Sequence, residues 1–184
     1  MPRLRFETTR DLFDAFPGAK QALLLEPNDL PSLHFLQELI EGPAVEKAVG
    51  FCAYLLPRRE AVWWGCAGIK TLGVPGTPAE QAALEVAEQW VKDPEEEHRL
   101  SALRVGQASD PEKAATWLAL GAGWAGGSMP LEGKSVALPP DQTAKAVRAA
   151  VLIAGAYCQP KCRIDFLKQC ARDGARLAAS EGKD

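Results

Sequence analysis

Thr77-Pro78-Ala79-Glu80-Gln81-Ala82-Ala83-Leu84-Glu85-Val86-Ala87-Glu88-Gln89-Trp90-Val91-Lys92 reads as one α-helix with its start signal intact. Thr77 is placed as N-cap, and Pro78 suits the first helical position, where no N–H is needed. Glu80, three residues after Thr77, completes a capping box by reaching back to the cap backbone. Ala79, Ala82, Ala83, Val86, Ala87 and Trp90 recur every three to four positions, which predicts a single apolar stripe.

The same period governs the segments on either side. Residues 43–56 place Val45, Ala48, Val49, Cys52, Leu55 and Leu56 on one stripe behind Pro43. Phe166, Leu167, Cys170, Ala171, Gly174, Leu177 and Ala178 repeat it near the C-terminus. Proline marks further starts and stops: Gly42-Pro43 ends a helix from Asp29 to Glu41, and Leu56-Pro57 separates the next from one over 58–71. Asp93-Pro94 and Asp110-Pro111-Glu112 open two more, and Pro139-Pro140-Asp141 opens a long one over 141–158, which Pro160 divides from the last. The three glutamates after Pro94 suit the positive end of a helix dipole. Only 126–138 reads as a long loop; residues 1–6 and 135–138 are candidates for short extended segments, but no run alternates well enough to predict a sheet. The expected fold is all-α: a compact multi-helix bundle of about eight or nine helices, with consecutive helices as antiparallel neighbours.

The 184 residues suit one domain spanning 1–184, with 1–8 and 179–184 as flexible ends. Hydrophobic residues at 47% and charged residues at 24% describe a globular chain, not a disordered one. A net charge of −3 argues against a nucleic-acid surface, which needs concentrated positive charge to displace counterions. The weakly polar run 144–158 contains Lys145 and Arg148 and is too short to span a bilayer, so no membrane insertion is expected. No apolar leader follows Met1, and five cysteines form an odd set, which together predict reduced thiols and a cytoplasmic protein.

Several near-motifs invite chemistry. Gly121-Ala-Gly123-Trp-Ala-Gly126 spells the dinucleotide fingerprint, but that motif works only between a strand and a helix N-terminus. Here a helix precedes it and a breaker follows, so the glycines are expected to let backbones approach while Trp117 and Trp124 fill space beside them. Gly133-Lys134-Ser135 resembles the tail of a phosphate loop, yet position 128 is serine where glycine is required. Cys158, Cys162 and Cys170 supply three thiols where a zinc site needs four ligands, and buried thiols are the expected outcome. His34 is expected as a partly buried structural imidazole, and His98 as part of a solvated first turn. Neither catalytic residues, nor a metal, nor a cofactor is expected.

The most distinctive text is Leu56-Pro57-Arg58-Arg59-Glu60-Ala61-Val62-Trp63-Trp64-Gly65-Cys66. Adjacent helical residues point about 100° apart, so one tryptophan can enter the core while the other faces outward; both entering it is the plainer reading. Arg59, one turn before Trp63, is placed to lay its guanidinium on that ring. Gly65 and Gly68 predict a flat, close-packing side. Arg59, Trp63, Trp64, Trp117 and Trp124 are accordingly the candidate partner or ligand surface.

The order Leu56–Trp64, then Trp90-Val91, then Trp117-Leu118-Ala119 leading to Trp124 and Gly126-Gly127-Ser128, resembles an uncharacterised bacterial family of helical domains. The resemblance runs from about Leu30 to the last helix. It implies accessory proteins encoded around secretion and effector loci, type VI systems especially, and hence an adaptor or chaperone role. The expected partner is another protein, a secreted effector or a secretion component; the alternative is a small-molecule domain with a tryptophan-lined pocket, and the third reading is an enzyme whose unrecognised site is assembled from scattered carboxylates and His34 or His98.

Overall fold

In a computed structural model of the chain, residues 4–73 and 76–180 are described. Among them are ten α-helices: α1 (Thr9–Ala15), α2 (Ala19–Leu23), α3 (Ser32–Glu41), α4 (Val45–Leu55), α5 (Arg58–Lys70), α6 (Pro78–Lys92), α7 (Glu96–Ala108), α8 (Ala114–Gly123), α9 (Gln142–Ala156) and α10 (Pro160–Ala179). The all-α bundle read from periodicity is the observed fold.

The start signal of α6 forms as its residues dictate: the Thr77 hydroxyl accepts from the Glu80 N–H, and Glu80 accepts from the Thr77 N–H at 2.8 Å. Its stripe is rotated from the expected one. Ala83, Ala87 and Trp90 are buried, while Ala79 and Ala82 face solvent. A second capping box, Thr8 with Asp11, starts α1.

Residues 4–8, expected as part of a flexible end, are instead fastened. Ser32 donates its N–H to the Glu7 carbonyl at 2.8 Å, and Phe6 meets Phe16 edge-on at 5.7 Å. Arg5 lies over both rings and donates to the Leu56 carbonyl at 3.2 Å. Residues 1–3 and 181–184 lie outside the described residues; of the expected C-terminal tail, Ala179 ends α10 and Ser180 caps it.

The centre of the molecule is α4. Beyond its predicted stripe, Gly50, Phe51, Ala53 and Tyr54 are also buried, so the helix is enclosed all round. Phe51 packs against Phe13 and Phe35, and Tyr54 against Phe16. Consecutive helices from α5 to α9 pack as neighbours, as short connections require. The step from α4 to α5 departs from that rule: Pro57 redirects the chain, and α4 packs mainly on α3, α9 and α10. Helix α10 therefore closes the bundle by returning across α3, α4, α5 and α9.

The segment 126–138 corrects a further expectation. A single 3-10 turn (Trp124–Gly126) leads into an antiparallel hairpin, β1 (Ser128–Leu131) and β2 (Lys134–Ala137). Glu132 and Gly133 take left-handed backbone at its tip, where glycine meets no steric cost.

Candidate functional site

Helix α5 turns its two adjacent tryptophans about 100° apart, one to the core and one to solvent. Trp64 points inward, 2% exposed, and donates its indole N–H to the Cys170 carbonyl of α10 at 2.8 Å. Trp63 points outward and remains 50% exposed. Gly65 and Gly68 form the close-packing side: a Cβ at Gly65 would stand 2.6 Å from the Leu118 side chain, and one at Gly68 would stand 3.1 Å from the Cys170 sulfur.

Arg59 does not lay its guanidinium on Trp63 through any described contact. Its Nε donates to the Val91 carbonyl at 2.7 Å, and a terminal nitrogen approaches the Lys92 carbonyl at 3.4 Å. These carbonyls end α6 and have no partners within that helix, so the guanidinium is drawn to them rather than to the ring. Arg59 thereby locks α5 to α6 and holds the face from which Trp63 projects.

Two depressions flank Trp63. One, of about 370 Å³, runs between α5 and α10 past Trp64, Thr71, Asp173, Arg176 and Leu177. The other, of about 360 Å³, is bounded by Arg59, Glu60, Val91 and Lys92. Asp173 pairs with Arg176 and accepts from Gln169, so the charges of the α10 rim are mutually satisfied.

Trp117 and Trp124 form a separate unit. Their rings meet edge-on at 6.5 Å, half-buried, and the Trp117 N–H is held by the Pro111 carbonyl at 2.8 Å. Neither lines the depressions beside Trp63. The five candidate residues thus divide into an exposed pair (Arg59, Trp63), an interior indole (Trp64) and a packed pair.

The glycine fingerprint is built for close packing. Gly121 and Gly123 lie in α8 and Gly126 in the 3-10 turn after it, so a helix stands where the fingerprint requires a strand. A Cβ at Gly123 would fall 2.6 Å from the Leu103 Cα, and one at Gly126 within 3 Å of the Arg99 guanidinium.

Arg99 carries no sequence signal, yet it organises this corner. Only 6% exposed, it takes both carboxylate oxygens of Glu96, at 2.7 and 2.6 Å, and donates to the Gly123 carbonyl and to the Ser128 carbonyl at 3.1 Å. The hydrogen bonds between them raise the Arg99 pKa and lower that of Glu96. A second unsignalled group joins Asp141, buried at the start of α9, to Lys145 at 2.9 Å and to the Tyr54 hydroxyl at 3.4 Å. Burial and the Asp141 charge push the Tyr54 phenol above its ordinary range. Both groups are spent on holding helices together.

The histidines offer no catalytic pairing. His34 is exposed, not partly buried, and sits 3.4 Å from Glu38 one turn on. His98 bridges α6 and α7, with Nδ1 2.9 Å from the Asp93 carbonyl and Nε2 facing Gln89.

Cys158, Cys162 and Cys170 do not converge; among the described residues no three His, Cys, Asp or Glu side chains form a metal-holding group. Of these three, expected as buried thiols, only Cys170 is buried; Cys158 is intermediate and Cys162 exposed, while Cys52 and Cys66 are buried. Burial pushes the Cys66 and Cys170 thiols up to about 12, and Cys52 higher still. Since the thiolate is the reactive form, an aromatic disulfide reagent at pH 8 is expected to titrate Cys162 fast and Cys158 slowly in the native protein. The remaining three should report only after denaturation. Rapid native release of more than two equivalents contradicts the assignment.

Among the described residues no helix is long and apolar enough to cross a membrane. No curated protein and no solved structure matches the chain. Residues 35–178, from α3 to the end of α10, match a family of unknown function, DUF6931, and the chain belongs to that family.

Proposed function

We propose that the chain is a non-enzymatic, cytoplasmic protein-interaction domain, an adaptor or chaperone whose contact face centres on Trp63. The observation that carries this reading is a half-exposed tryptophan between two depressions, on a helix locked in place by Arg59. Tryptophan and arginine are the residues most enriched where binding energy concentrates. A large aromatic ring on a rigid helix also loses little conformational freedom on docking.

The partner is a protein segment that seats an apolar side chain on either flank of Trp63. That this partner is a secreted effector or a secretion component, in a type VI setting, rests on the resemblance of the tryptophan motif. A tryptophan-lined ligand pocket has less support: Trp63 and Trp64 border one open groove, but Trp64 is buried with its N–H engaged.

Affinity purification from the native host tests the proposal with Trp63→Ala on α5 against Ile164→Ala, a control at an exposed apolar side chain on α10. A specific partner should be retained by the control and lost by Trp63→Ala, with affinity reduced at least about 30-fold. Equal retention by both variants, or no specific partner for the unaltered chain, overturns it.

A further inference from the structure

A cavity separate from the depressions beside Trp63 lies where four helix ends converge. It has a volume of about 260 Å³ and opens between the end of α5, the starts of α6 and α8, and the end of α9. Its walls are apolar: Ile69 and Leu72 from α5 and the turn after it, Leu84 from α6, Ala115 from α8 and Ala154 from α9. The alanines matter here, because a longer side chain at 115 or 154 would fill the space they leave.

The polar groups stand at the rim and differ in how far they are committed. Glu80 accepts the Thr77 N–H and hydroxyl at the head of α6, so its charge is used by the capping box. Gln81 reaches the Gly76 carbonyl at 3.3 Å. Tyr157 is pinned by donating its hydroxyl to the Glu112 carbonyl at 3.1 Å, which holds its ring as one wall. Lys113 stretches across that ring, with Nζ 5.5 Å from the centroid, and no carboxylate pairs with it among the described residues. The rim therefore offers one cation without a carboxylate partner among the described residues, lying over an aromatic wall. Lys113 also stands at the N-terminus of α8, where the helix dipole adds to the positive potential.

We propose that this cavity binds a small amphiphilic carboxylate, its chain among Ile69, Leu84 and Ala154 and its carboxylate at Lys113. A dry protein cavity of roughly 150 Å³ admits benzene, so this one takes a chain of about eight to ten carbons. Apolar walls with a few placed polar groups are the usual makeup of a ligand site.

Titration of the full chain with octanoate, 1-octanol and octylamine, followed by calorimetry and by ligand-observed NMR, tests this. Octanoate should bind more tightly than octanol, and octylamine most weakly. Lys113→Met should weaken octanoate about three- to fivefold and leave octanol unchanged, since a rim charge contributes modestly. Leu84→Trp, checked for a cooperative thermal transition, should abolish binding of all three by filling the cavity. Octylamine binding as well as octanoate, octanoate indifferent to Lys113→Met, or no binding of any probe at millimolar concentration overturns the proposal. The Trp63→Ala variant should bind octanoate normally, which separates this site from the protein-interaction face.

Discussion

Trp64→Ala is expected to destabilise the folded chain by about 3–5 kcal/mol, the range for removing a large buried aromatic from a packed core. The indole is 2% exposed and fills the junction of α5 with α10. Opposite its nitrogen stands Gly174, where an added Cβ would come within 3.2 Å of Trp64 Nε1 and 2.8 Å of the Cys52 sulfur. The last helix thus closes on the bundle through a ring from α5, a thiol from α4 and a missing side chain of its own. Truncation at Trp64 leaves a void that this backbone cannot collapse into, because α10 is held along its length by α3 and α4 as well.

Urea denaturation reads the effect, and Trp64→Phe apportions it. Phenylalanine restores most of the volume but cannot donate to the Cys170 carbonyl, so about 1–2 kcal/mol should remain lost. Trp63→Ala, one residue away, should change the midpoint little because half of its ring already faces water. If the two alanine variants unfold at the same urea concentration, the assignment of inner and outer tryptophan is wrong.

The contrast between Trp63 and Trp64 also shows how much was legible in the sequence. Helical phase says that neighbours diverge by about 100°, but only the packed structure says which one enters the core. Caps are more explicit, since Thr77 and Glu80 encode their partners within one turn and form as read. Burial is less so. The period of 43–56 predicts one apolar stripe, whereas α4 is enclosed by α3, α9 and α10 and buries every side as a consequence. The hairpin at 128–137 is signalled only by the extended candidate at 135–138, because its strands are four residues long and β2 is wholly exposed, leaving no alternation to detect. Arg59 looked like a partner for Trp63 at one-turn spacing, but the carbonyls it binds come from 32 and 33 residues away. The cavity at Lys113 is the extreme case: four helix ends build it, and none of their local patterns announces a site.

Gly123→Ala should cost about 3 kcal/mol, at the upper end of the range for overpacking, while Gly121→Ala should be neutral or slightly stabilising. Both glycines belong to the same fingerprint, so the pair separates two explanations of it. Gly123 has φ −60° and ψ −34°, ordinary helical values that alanine adopts freely, and conformational freedom is not what the position requires. Space is. The added methyl would stand 2.6 Å from the Leu103 Cα and 2.9 Å from its nitrogen, so α7 and α8 would have to move apart. The same helix pair is equally tight at Gly106, where a Cβ would meet the Leu120 backbone nitrogen at 2.9 Å. At Gly121 the nearest atoms, on Ala146 and Val147, lie at 3.4 Å, an ordinary contact, and alanine gains about 1 kcal/mol of helix propensity over glycine. Thermal unfolding of the two variants decides the matter. A lowered midpoint for Gly123→Ala alone places the motif in helix packing. Equal loss at both positions contradicts the geometry, and full stability at both returns the glycines to a role outside the core.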